Sequence, residues 1–165
     1  VDSDVIGETF MSGESARIVS PDAGPVWDME PGRPTIFKLT SEETGGSAAV
    51  FEESVPVGAG TPLHKHHASD ELIHLTGGEL TLKLGSRTTV IGSGTWVFIP
   101  RGTPHAWRNT GSTAAHASFV FAPAESAKFF EQLRLLAQPI PSIPPEVLAD
   151  LCQRFGYELV SFEWT

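Results

Sequence analysis

The sequence holds a single cysteine, Cys152, in 165 residues. No intrachain disulfide can form, and one thiol cannot build a metal site, so any bound metal has to rely on nitrogen and oxygen donors. A reducing interior suits such a chain, and the first thirty residues lack a basic-then-apolar leader pattern, so a cytoplasmic protein is expected. No apolar run approaches the roughly eighteen residues of a membrane span. Basic residues are also scarce: 11 Lys and Arg stand against 20 Asp and Glu, for a net charge of −9. They are scattered rather than clustered. Nucleic acids and anionic membranes both require a concentrated basic face, so neither is expected as a partner.

What is present is ordinary for one globular domain, with 40% hydrophobic and 19% charged residues. Residues 1–34 are rich in Gly, Pro, Asp and Ser and read as an irregular arm, with one short strand around Ala16–Val19. From residue 35 onward, short β-type runs follow one another: 35–40, 47–55, 71–76, 79–84, 87–91, 95–99, 105–109 and 115–122. The run 79–84 alternates cleanly, with Leu80, Leu82 and Leu84 on one face and Glu79, Thr81 and Lys83 on the other. Gly77-Gly78 and Gly85-Ser86 sit between runs at hairpin spacing. About eight strands with turns between them predict an all-β barrel or sandwich over residues 35–122. In residues 123–165 the period changes. Phe129, Phe130, Leu133 and Leu136 fall at helical spacing, Pro145 is placed to open a second helix, and residues 157–165 read as a returning strand. These helices are expected to pack on the barrel as part of one domain.

Six histidines lie within residues 64–116. His64 and His66 are two apart, so on a strand both rings point to one face, about 6.5–7 Å apart, close enough to converge on one ion. Glu71 is out of phase with them on an unbroken strand. Ala68-Ser69-Asp70 supplies a turn or bulge able to reset the phase. His105 follows the corner from Pro100 to Pro104 and shares a face with Trp107 and Asn109. By the same parity His67 and His74 point away, and Ile73 shares the face of Glu71.

Two gapped patterns join these residues. The first runs Gly58, His64, His66, Glu71 and Gly78; the second runs Gly94, Pro100, Gly102, His105 and Asn109. Both are similar, position by position, to the two motifs of the cupin superfamily. The resemblance covers about residues 35–122 and implies a double-stranded β-helix (jelly-roll) barrel that binds one divalent metal through His64, His66, Glu71 and His105. Glu43-Thr44-Gly45-Gly46 and the helical tail with its closing strand further resemble the bacterial quercetinase-like cupins, which are flavonol dioxygenases. A shell of three imidazoles and a carboxylate suits Fe, Mn, Ni, Co, Cu or Zn, and leaves one or two positions open.

No Lys or Arg can be placed on the cavity face, which disfavours a phosphorylated substrate. Ile73, Phe98 and Trp107 are the expected pocket residues and favour an aromatic or enolisable apolar molecule. The resulting expectation is an oxygenase in which Glu71 also takes a substrate proton, with O2 as co-substrate and a homodimer as the assembly. A metal-dependent lyase or isomerase, or a non-catalytic binding module, would share the same ligand set.

Overall fold

The computed structural model describes residues 16–161. The short strand expected at Ala16–Val19 is absent; that stretch is irregular, and the rest of the expected arm before it lies outside the described residues. Two antiparallel sheets make the barrel. In chain order the strands are β1 (Val26–Glu30), β2 (Arg33–Leu39), β3 (Ala49–Val55), β4 (Leu63–His66) and β5 (Asp70–Gly77). There follow β6 (Glu79–Leu84), β7 (Arg87–Gly92), β8 (Trp96–Ile99), β9 (His105–Arg108), β10 (Ala115–Ala122) and, after two helices, β11 (Tyr157–Ser161). One sheet is ordered β1-β2-β3-β10-β5-β8 and the other β11-β4-β9-β6-β7.

Alternation decides which side chains turn inward. Phe37, Phe51, Phe119 and Phe121 are all buried on the inner face of the first sheet, and Leu80 and Leu82 on that of the second. Phe51 stacks on Phe119 and Phe121 at ring-centroid distances of 5.3 and 5.6 Å. Such pairs add about 0.5–1.5 kcal/mol each beyond the area they bury.

Gly85-Ser86 does turn a hairpin, with Leu84 opposite Arg87 and Gly85 at φ +59°. Gly77-Gly78 does not. β5 pairs with β10 and β8, whereas β6 pairs with β7 and β9, so this glycine pair carries the chain from one sheet to the other. Gly78 has φ +77°, and a Cβ there would stand 2.7 Å from Ala115 Cα, so only glycine fits the crossing.

The sheet structure starts earlier than residue 35, since β1 and the first residues of β2 already pair at the edge of the first sheet. The C-terminal helices are α1 (Lys128–Leu135) and α2 (Pro145–Arg154). Pro145 opens α2, and Gly156 at φ +63° follows its end. α1 buries Phe129 and Leu133 against the barrel, and its Glu131 carboxylate accepts hydrogen bonds from Ser41 N and Oγ at 2.7 and 2.6 Å. β11 then adds to the edge of β4, with Tyr157 opposite His66 and Leu159 opposite His64. Residues 162–165 of the expected closing strand lie outside the described residues.

Candidate metal centre and its cavity

His64 and His66 both face inward from β4, as their two-residue spacing requires. The chain then turns through residues 67–69 and restarts at Asp70, which brings Glu71 into phase with the histidines. Two contacts fix this turn. Ser69 Oγ accepts a hydrogen bond from Ser126 N at 2.8 Å, and the Asp70 carboxylate binds Arg101 through the backbone N–H and the guanidinium at 2.9–3.0 Å. The second contact clamps the turn to the corner that delivers His105. The Arg101 bonds hold the Asp70 carboxyl near a pKa of about 2. Asn109 closes the loop beyond β9 by donating to Val55 O and Thr113 O and accepting from Gly111 N.

His64, His66, Glu71 and His105 are all buried, and one donor atom from each lies within 4.8 Å of all the others. Two ligands on opposite sides of an ion with 2.1 Å bonds stand about 4.2 Å apart, so the cluster is close to the size a single ion requires. Tautomers are set from behind. His64 Nδ1 donates to Pro62 O and His105 Nδ1 to Thr103 O, each at 2.8 Å, which directs both Nε2 atoms into the cluster. His105 Nε2 is 2.8 Å from Glu71 Oε2. His66 Nε2 lies 3.3 Å from the same oxygen without hydrogen-bond geometry, and neither nitrogen of the buried His66 ring has a hydrogen-bond partner among the described residues. A buried imidazole with both nitrogens unsatisfied is costly, and a ligated ion would satisfy one of them.

The electrostatics agree with a ligand set. Burial, with His105 and His66 alongside, pushes the His64 imidazole well below its ordinary value and leaves it neutral. Burial would raise the Glu71 carboxyl, but the hydrogen bond from His105 and the proximity of the His105 and His66 rings outweigh it and hold Glu71 far below the usual range. Burial lowers His105, and its bond to Glu71 more than reverses that. These four residues therefore form a donor set that could hold one metal ion.

His64, His66 and Glu71 form part of the wall of a cavity of about 460 Å³. Phe51, Trp107, Phe119, Phe121, Phe129 and Phe130 give it an aromatic wall, and Glu30, Arg33, Glu53 and Arg108 add charged groups. Of the expected pocket residues only Trp107 lines it. Ile73 is fully buried in the core away from the cavity, and Phe98 is 60% exposed, because β8 turns that side chain to the outer face of the sheet. His67 pairs with Glu158 at 2.6 Å, His74 stacks on Trp96 at 4.0 Å, and His116 is exposed; none joins the cluster.

The expectation of a cavity without cations is also corrected. Arg33 is buried in the cavity wall, with Nε and Nη2 donating to Glu53 Oε2 at 2.9 and 2.8 Å and the guanidinium 4.8 Å from the Trp107 ring centroid. Alternation could have placed each side chain inward, since Glu53 shares the face of Phe51 and Val55, and Arg33 that of Thr35 and Phe37, but their pairing follows from β2 lying beside β3. Its charge is internally compensated. Tyr157, which no motif marks, also lines the cavity. Its ring stacks on His64 at 4.7 Å and 4°, and burial with the nearby Glu71 carboxylate pushes its hydroxyl far above the usual phenol range.

Residues 51–121 match the family model of the Cupin domain. Germin-like protein 3-7 of Oryza sativa subsp. japonica is 30% identical over 159 residues, covering 89% of this chain and 64% of that protein. The chain spans 58% and 64% of the lengths of the curated relatives it matches. Among solved structures, the cupin domain of Schizosaccharomyces pombe Cnp3 has a TM-score of 0.58 at 17% identity, covering 86% of this chain and 100% of that one. A predicted oxalate decarboxylase from Thermotoga maritima has a TM-score of 0.57 at 21% identity, covering 64% and 98%. Likeness at these identities establishes a shared fold. With its two sheets, its histidine and glutamate cluster and the match over residues 51–121, the chain carries a Cupin domain and has the double-stranded β-helix fold of the cupins.

Proposed function

We propose that this cupin is a metal-dependent oxygenase of a small aromatic or enolisable molecule, such as a flavonol, diketone or catechol-like compound. One observation carries the reading: the four-residue cluster opens onto a cavity of about 460 Å³ whose wall includes six Phe and Trp side chains. That volume lies within the range of about 300–1,000 Å³ typical of small-ligand pockets. Arg33, the guanidinium buried in the wall, is already paired with Glu53, which leaves the exposed Arg108 as the other cation that lines the cavity.

A divalent ion held by His64, His66, Glu71 and His105 supplies Lewis acidity and, where it is redox-active as iron is, chemistry toward O2. The protein's own part is more specific. Aromatic walls exclude water and hold a planar substrate. Glu71 lines the cavity beside His64 and His66, and its carboxylate is the group placed to take a substrate proton. The neighbours that stabilise the Glu71 carboxylate also weaken it as a base, so it suits an acidic enol or phenol rather than an aliphatic C–H.

The test is an oxygen-uptake screen of metal-loaded protein against flavonols, β-diketones and catechols, with product mass measured. O2 consumed in proportion to substrate lost is the expected result. Turnover that proceeds equally without O2 would replace the proposal with a Lewis-acid lyase or isomerase. Binding without turnover would replace it with a binding module.

A further inference from the structure

β11 extends the sheet on the edge of the ligand strand β4, and directly opposite residues of an antiparallel pair point to one face. Tyr157, opposite His66, is thereby delivered to the same side as the ligand histidines. Its ring is held on several sides. It lies between His64, at 4.7 Å and 4°, and Phe129, at 4.6 Å and 18°, with His66 edge-on at 5.1 Å and 77°. A phenol clamped in this way has little freedom to move its hydroxyl. Buried tyrosine hydroxyls ordinarily find a partner. Tyr157 is half-buried, its hydroxyl makes no hydrogen bond to the described residues, and its ring lines the cavity together with Glu71, His64 and His66. It is the only tyrosine in the sequence.

We propose that Tyr157 is a specificity residue whose hydroxyl donates a hydrogen bond to an oxygen of the bound molecule, next to the oxygen that the metal takes. The site then selects molecules with two neighbouring oxygens, as in catechols, enediols and hydroxyketones. The C-terminal extension, outside the matched residues 51–121, becomes part of the recognition surface. The inference rests on the reading that the four ligands hold a metal to which a small molecule binds, but not on that molecule being oxygenated.

The test uses the full chain loaded with Zn(II), which cannot support redox turnover, and two probes titrated calorimetrically. 4-Nitrocatechol offers two adjacent oxygens; 1-methylimidazole binds a metal with one nitrogen and has no oxygen to accept a bond. Tyr157→Phe keeps the stacked ring and deletes only the hydroxyl. The expected result is unchanged Zn(II) content, 4-nitrocatechol affinity lower by about 10- to 100-fold, as for a lost hydrogen bond to a charged acceptor, and 1-methylimidazole affinity within about twofold of the parent. The proposal is overturned if 4-nitrocatechol does not bind the parent protein or binds both proteins alike. Equal losses for both probes, or a fall in Zn(II) content, also overturn it, by showing that Tyr157 acts only through its packing on the histidines. Absence of oxygen uptake in the substrate screen would defeat the oxygenase reading and leave this result standing.

Discussion

Removing Arg33 should expose how much the cavity wall depends on one internal ion pair. Arg33 and Glu53 are 3% and 4% exposed, and Arg33 gives Glu53 Oε2 two charge-assisted hydrogen bonds at 2.9 and 2.8 Å, with a longer one to Gly60 O at 3.3 Å. Arg33→Met keeps much of the side-chain length and the apolar contact with Trp107, but leaves a buried carboxylate unpaired. Breaking a buried pair from one side costs about 3–5 kcal/mol. For a domain of this size that corresponds to a Tm lower by about 6–20 °C.

The loss should also depend on pH. Burial already raises the Glu53 pKa, and Arg33 pulls it back down. Without Arg33 the value rises further. A carboxyl with a raised folded-state pKa contributes its full stability below its unfolded value, near 4.5, and loses it as pH climbs through the folded value. The gap between parent and variant should therefore widen from pH 5 to pH 8 in urea unfolding at equal metal content. Replacing both members, Arg33→Met with Glu53→Leu, should return stability to within about 1 kcal/mol of the parent, because no lone charge remains. An Arg33→Met variant that loses less than about 1 kcal/mol, with no pH dependence, would refute the reasoning.

Further expectations concern the metal centre and the turn beside it. His64→Ala, His66→Ala and His105→Ala should each lower bound metal well below one ion per chain while circular dichroism stays native; full occupancy in the His64 and His105 variants would defeat the assignment. Glu71→Gln refilled with metal should still turn over about 10²–10⁴-fold more slowly if Glu71 takes the substrate proton, and should recover at raised pH with substrates already ionised. Wild-type turnover in the refilled variant would rule that role out. The Asp70–Arg101 clamp favours the ionised carboxylate, so its stabilisation is present above the ordinary value near 3.8 and is lost as pH falls toward about 2. Parent and Asp70→Asn unfolding curves should differ at pH 7 and converge in acid; a constant gap down to pH 2 would contradict the clamp.

Much of the barrel and the ligand set can be read directly from the chain. Alternation in Glu79–Leu84 and Ala115–Ala122 matches the strands residue for residue, because the two-residue period is a local property of an extended backbone. The spacing of His64 and His66 and the two glycine-bounded motifs carry the ligands for the same reason: each part of the site is a short segment whose geometry its own residues dictate. What tertiary structure alone decided is which segments meet. Gly77-Gly78 looks like a hairpin until the pairing of β5 and β6 with different strands makes it a crossing between sheets. Phe98 has the right chemistry for a pocket, but its strand turns it outward. Ile73 has the right phase, but the cavity does not reach it. Arg33 and Glu53, twenty residues apart, become one compensated pair only when β2 lies beside β3. Tyr157 reaches His64 across more than ninety residues because β11 docks on β4. Strand period and turn chemistry are set within a few residues, whereas cavity shape, charge compensation and the far wall of the site depend on contacts between distant strands, which no local pattern encodes.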